Sequence, residues 1–187
     1  MKTRIAVLVA CLCLCGCDQS SSSGRSPNAN SAQDQSQQPN PSADSTPRAN
    51  WSYSEDTDQM RGTKTHFASD ESTNELSFGF PYAGGKATLM LRKRPSDGLN
   101  ILLKVNGQFM CNSFREDTVS VKFDDGPIQK FTCVEPNDAS TGVIFIRGEK
   151  RFLSKLRKAK SLVIEAEFFH AGSHQMYFDV SGLEWAY

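Results

Sequence analysis

From Asp18 to Asn50 the chain holds no Ile, Leu, Val, Met or aromatic residue. That gap constrains the fold more than any motif does. Nine Ser, five Gln, four Asn and four Pro make up 22 of its 33 residues. Such a segment has too little apolar surface to offset the entropy of ordering it, so it is expected to stay disordered. As a flexible coil it spans about 30 Å end to end, which suits a tether; binding to or threading through a cell wall is the other use of such a segment. Trp51 is the first aromatic residue, and a globular composition begins there. The 137 residues of 51–187 are a common size for one domain.

On the other side of the gap, Cys11 to Ser20 reads CLCLCGCDQS. Zinc ligands need two to four residues between them; here the separation is one. The neighbours decide the matter. Met1-Lys2-Thr3-Arg4 is a short cationic start, and Ile5 to Leu14 is an apolar run. A charged start, an apolar core of about 7–15 residues and a small residue at the processing point make a secretory signal peptide. The run falls short of the roughly 20 residues that span a bilayer. Leu14-Cys15-Gly16-Cys17 resembles the lipobox of bacterial lipoproteins. The resemblance implies cleavage after Gly16, lipidation of Cys17 and a membrane anchor there. Residues 1–16 are then the signal peptide and 17–50 the lipidated tether. One acyl chain binds a membrane only marginally, and several on one cysteine hold firmly. Asp18 resembles the residue that retains enteric lipoproteins in the inner membrane. The domain is therefore expected to face the periplasm, with the outer membrane as the alternative site.

The domain carries 17 Lys and Arg against 18 Asp and Glu. That balance argues against bulk nucleic-acid binding, which requires a basic domain. Its pattern is mostly β. Glu75–Phe80, Ala87–Leu91, Ile101–Val105, Gln108–Phe114, Val119–Phe123, Ile128–Val134 and Val143–Arg147 read as strands. Asn106-Gly107 predicts a tight hairpin between the third and fourth. Arg92-Lys93-Arg94-Pro95 and Asp124-Asp125-Gly126-Pro127 read as turns. The period then changes: Phe152, Leu153, Leu156 and Ala159 have helical spacing within 149–160. Glu149 near the start and Lys158 and Lys160 near the end suit the helix dipole. Leu162–Phe169 and Met176–Val180 form a last hairpin. The expected fold is mainly β: an antiparallel β-sandwich or open barrel with one amphipathic helix near the C-terminus.

Two cysteines remain in the domain, each in a Phe-x-Cys pattern: Phe109/Cys111 and Phe131/Cys133. Alternation puts each pair on one face of a strand, toward the core. In an oxidising compartment Cys111 and Cys133 read as a disulfide. A plain meander would hold them two strand spacings apart, about 9.6 Å, beyond the roughly 7 Å limit for a bridge. The bond therefore requires that their strands be direct neighbours or meet across the sheets.

Nothing in the sequence composes a catalytic centre. His170 and His174 flank a turn and lack an apparent third ligand. Glu165 and Glu167 read as the solvated side of an alternating strand. Glu55, Asp56 and Asp58 lack the glycine and spacing of a calcium loop. No nucleophile elbow or phosphate loop is present. The expectation is a non-enzyme without cofactor or metal. Partner recognition is expected at Arg92, Lys93 and Arg94 in their turn or at the Asp124–Pro127 turn, because loops on a rigid sheet carry recognition. The basic helix face with Lys155 and Lys158 is the alternative, where anionic headgroups could dock.

Trp51, Asp58-Gln59-Met60, the helical Phe152, Leu153, Leu156 and Ala159, and Phe178-Asp179-Val180-Ser181-Gly182-Leu183 together resemble the TagO/VasI group, accessory envelope proteins of type VI secretion. The resemblance implies an envelope protein partner and carries no catalytic residue. The chain departs from the group in stopping after Tyr187, without its further C-terminal segment and cysteine. The expected function is a membrane-anchored, non-catalytic binding module of the bacterial envelope. A periplasmic inhibitor or immunity protein against a lysozyme-like hydrolase or toxin is the alternative.

Overall fold

Burial that alternates every second residue defines an inner face on most of the strands. In the computed structural model the described residues are 50–112, 115 and 117–187. The expected signal peptide, the expected lipidation site Cys17 and residues 18–49 of the expected tether lie outside them. Nine strands form among the described residues: β1 (Ser52–Thr57), β2 (Lys64–Leu76), β3 (Gly85–Arg94), β4 (Gly98–Lys104), β5 (Thr118–Phe123), β6 (Gln129–Val134), β7 (Val143–Ile146), β8 (Ser161–Phe168) and β9 (Gly172–Asp179). Helix α1 (Glu149–Leu156) sits between β7 and β8. The sheet order is β1-β2-β3-β4-β7-β6-β5-β8-β9, with every pair antiparallel. The expected class, a mainly β sandwich or open barrel with one helix, is the fold that forms.

The sheet curls until β9 meets β2 beyond the end of β1. Side chains join this seam. The Asn74 amide donates to the Gln175 carbonyl and accepts from the Tyr177 N–H, each at 2.9 Å, and Thr73 Oγ1 donates to the Tyr177 carbonyl at 3.2 Å. A bulge makes this possible: the β2–β3 register shifts between Glu71 and Glu75. Ser72 Oγ staples the bulge, donating to the Asn74 carbonyl and accepting from the Ala87 N–H.

Inside the curl, Leu89, Leu91, Ile101, Leu103, Val121, Ile144, Ile146, Leu162, Ile164 and Met176 are fully buried. Full burial of such a side chain stabilises by about 1.5–3 kcal/mol. Helix α1 closes one end. Phe152 meets Phe123 and Phe131 edge to face, both at 5.3 Å between ring centroids. Gly148 starts the helix at φ 82°, a left-handed value that glycine adopts without a Cβ clash. The helix ends at Leu156, earlier than the periodicity suggests, but Ala159 remains buried in the turn that follows.

Four local expectations are corrected. The first strands are β1 and β2, where the alternation suggests a start at Glu75–Phe80; β2 ends at Leu76. Polar composition hid them, since all of β1 but Thr57 is exposed and β2 mixes Asp, Glu, Ser and Thr. The Asn106-Gly107 hairpin does not form. Strand β4 pairs with β3 and β7, and neither turn residue takes a positive φ. Gly107 serves close packing instead: a Cβ there would lie 2.5 Å from the Phe78 ring. Of the expected strand Gln108–Phe114, residues 108–110 form only an isolated bridge along the end of β8, with the Phe169 N–H donating to the Gln108 carbonyl and the Met110 N–H to the Glu167 carbonyl. Arg92, Lys93 and Arg94 belong to β3, and the turn follows them.

The Cys111–Cys133 disulfide is present, with Cα atoms 6.0 Å apart. Its geometry satisfies the distance requirement by another route than strand adjacency. Cys111 stands outside any strand, whereas Cys133 lies in β6 between β5 and β7. The bond pins the 108–112 crossing to the sheet. Closing a loop of this length stabilises by about 3 kcal/mol in the chain-entropy model.

Candidate functional site

Strand alternation splits the basic triplet. Arg92 and Arg94 point to the outer side of β3, where both pair with Asp97 of the following turn. The Arg94 guanidinium holds the Asp97 carboxyl below its ordinary value. Arg92 lies over the Phe145 ring at 5.4 Å. Both arginines are thus committed to their own strand end. Lys93 continues the inner row Leu89, Leu91, Lys93 past the edge of the core. It has no ion-pair partner among the described residues.

At this mouth of the curl, Lys93 meets the helix. Lys93 and Leu99 from the β3–β4 hairpin, with Lys150, Leu153, Ser154, Arg157 and Lys158 from the helix and its end, and Tyr187, line a groove of about 490 Å³. The two regions that the sequence offered as alternatives, the basic triplet and the helix, converge here through Lys93 and Lys158. Lys150, Ser154 and Lys158 recur every four residues and so share one helix face. Arg157 is oriented by donating to the Trp185 carbonyl at 2.7 Å. Lys155 does not line the groove. Arg151 is also engaged elsewhere, over the Phe131 ring at 4.2 Å and donating to the Lys130 carbonyl.

A wider cleft of about 730 Å³ adjoins the groove. Its walls are Tyr53 and Glu55 of β1, His66 of β2, and the C-terminal residues Glu184, Trp185 and Tyr187. Tyr187 lines both spaces. Its ring stacks on His66 with centroids 3.7 Å apart and meets Trp185 edge-on at 5.3 Å. The Tyr53 hydroxyl accepts from the Glu184 N–H at 2.8 Å. Glu55 is held by Lys64 at 2.7 Å and by His66 at 3.2 Å, and the Lys64 hydrogen bond lowers its pKa. The sequence pattern gave no sign of this cleft, because its residues come from β1, β2 and the chain's end and share no local spacing.

A third cavity, about 500 Å³, opens where β1 and β2 approach the end of β9. Asp70 borders it, 2% exposed on the inner face of β2, and its Oδ2 has no hydrogen-bond partner. Desolvation pushes its pKa to about 7, and the nearby Asp179 carboxylate adds to the rise. The hydrophobic pattern of β2 does not signal this inward carboxylate.

The remaining sequence candidates serve the fold. Asp124 of the Asp124–Pro127 turn accepts from the backbone N–H groups of Lys160 and Ser161 at 2.8 and 2.9 Å, which lower its pKa. His174 Nε2 lies 3.1 Å from the Ala171 carbonyl in its own hairpin. Glu165 accepts from Gln175 across the strand pair. Asp58 pairs with Arg61. Among the described residues no three His, Cys, Asp or Glu side chains gather as a metal site, and no helix is long and apolar enough to cross a membrane.

No protein-family model and no curated protein matches the chain. Among solved structures it is similar to invasion associated protein B from Bartonella henselae, at 16% identity over 72% of this chain and 86% of the other, with a TM-score of 0.46.

Proposed function

We propose that the protein is a non-catalytic binding module of the bacterial envelope, anchored at Cys17, that takes an anionic group of its partner in the groove between β3 and α1. The observation that carries this reading is the convergence of Lys93, Lys150, Arg157 and Lys158 around an apolar floor of Leu99 and Leu153. None of these cations has a carboxylate partner among the described residues. Such a groove suits charge-assisted hydrogen bonds to phosphate or carboxylate. Its apolar floor adds area that a solvated helix face lacks. The resemblance to the TagO/VasI group supports placing this module beside a secretion apparatus.

The test uses the full-length lipoprotein in its own membrane. A photo-crosslinking residue at Ser154, in the groove, is expected to trap an envelope component. The adduct should vanish with Lys93→Glu and Lys158→Glu together and persist with Lys104→Glu, which lies outside the groove. An adduct indifferent to the double substitution, or no adduct at all, would refute the reading.

A further inference from the structure

One cross-strand row joins the aromatic cleft to the basic groove. Glu55 pairs with His66, His66 with Lys93, and Lys93 with Leu99. Directly paired residues share a face, and neighbouring strands lie about 4.8 Å apart, so the row is about 14 Å long. Tyr187 lies against it, stacked on His66, and lines the spaces at both ends. Cleft and groove are thus one continuous surface at the mouth of the curled sheet, a usual position for a ligand site in a barrel.

The two ends of this surface ask for different chemistry. The groove is cationic. The cleft presents half-exposed tyrosine residues, Tyr53 at 44% and Tyr187 at 52%, and Glu184 lines the same space. Lys64 already holds Glu55, which leaves Glu184 as the acceptor without an ion pair among the described residues. A carboxylate there repels a second anionic group and accepts hydrogen bonds from hydroxyls. An aromatic face offers a flat apolar platform. His66 and Trp185 hold the Tyr187 ring in place, so little freedom is lost when a ligand stacks on it.

We infer that the surface binds an acidic saccharide: a neutral, hydroxyl-rich sugar ring over Tyr53 and Tyr187, beside a phosphate or carboxylate held by Lys93, Lys150 and Lys158. The flat C–H face of a pyranose matches the rings, and its hydroxyls match Glu184. A polyacidic peptide would satisfy the groove but not the cleft, where its charge meets Glu184 and its chain supplies few hydroxyl donors. This inference rests on the proposed role of the groove and names the ligand class for it.

The experiment is calorimetric titration of the full-length protein in detergent with four probes: neutral chitotetraose, a carboxylated hyaluronan tetrasaccharide, a phosphorylated pentamannose and a hexaglutamate peptide. At least one acidic saccharide should bind about tenfold or more tighter than both chitotetraose and hexaglutamate, a difference of about 1.4 kcal/mol. The two acidic probes separate phosphate from carboxylate as the preferred anion. Tyr187→Ala should weaken the acidic saccharide about tenfold and leave hexaglutamate unchanged, whereas Tyr187→Phe should retain binding. Hexaglutamate binding equal to that of the sugars, with Tyr187→Ala silent, would overturn the saccharide inference and leave the groove standing. Failure of both acidic saccharides overturns it too. Acidic-saccharide binding that survives Lys93→Glu with Lys158→Glu would instead overturn the role of the groove.

Discussion

Asn74 and Tyr177 meet as two strands would, except that one partner is a side chain. Its Oδ1 accepts from the Tyr177 N–H while its Nδ2 donates to the carbonyl of Gln175, so one amide stands in for a peptide group along β9. This substitution limits the exposed edge of β9 and draws the two ends of the sheet together. Open strand edges are otherwise templates for unwanted pairing.

Asn74→Ala is expected to destabilise the domain by about 1–2 kcal/mol, since it removes two hydrogen bonds worth roughly 1 kcal/mol each. Asn74→Asp should be worse, because it replaces the donor to Gln175 with an anion facing a carbonyl. Amide hydrogen exchange should rise at Tyr177 in both variants, with the Leu103 amide in β4 unaffected until global unfolding. Unchanged exchange at Tyr177 would show that the seam is held by other contacts.

Asp70 makes stability depend on pH in an uncommon direction. Its folded pKa lies near 7, above the ordinary 3.8. Between these values the folded state keeps a proton that the unfolded state loses. Stability should therefore fall as pH rises through this window and level off above about 7. Asp70→Asn removes the buried charge, so its melting temperature should exceed that of the natural protein at about pH 8, and the gap should shrink toward about pH 5. Thermal melts across this range read the difference. Parallel pH profiles for the two proteins would assign the dependence to other groups.

The disulfide holds a crossing segment that has few ladder hydrogen bonds of its own. Replacing Cys111 and Cys133 with Ala should cost about 3 kcal/mol, read from denaturant unfolding. Alkylation followed by intact-mass measurement should add two labels only after reduction. Two labels without reductant would mean that the bond is absent from the protein.

Lipidation at Cys17 is tested apart from the domain. Cys17→Ser should accumulate as an unprocessed precursor and take up no labelled palmitate, while Cys15→Ser is processed as usual. Equal labelling of the Cys17 variant would move the anchor to another residue.

By itself the sequence determined where a domain can exist and what class it belongs to. The apolar gap before Trp51, the short apolar run of β7 and the alternation in β5 and β8 are local facts, the last legible because burial repeats every second residue. The helix was legible from its own period, since Phe152, Leu153 and Leu156 follow helical spacing on one buried face. The pairing of Cys111 with Cys133 was legible from composition and matched faces. The route by which they meet was not, because the bridge joins a strand to a segment that is not one. Tertiary structure decided the rest. Strands β1 and β2 are stable because their neighbours accept their hydrogen bonds, which a polar sequence does not announce. Glycine at 107 looked like a turn signal, yet it answers to the Phe78 ring, a packing demand from elsewhere in the chain. The candidate site depends on this kind of information throughout. Arg92, Lys93 and Arg94 are adjacent in sequence, but β pairing turns the two arginines outward to Asp97 and leaves Lys93 at the mouth. There it meets Lys158 and Tyr187, which share no local pattern with it. Local periodicity reports which way a residue faces; only the curl of the sheet and the placement of α1 decide which distant residues face each other.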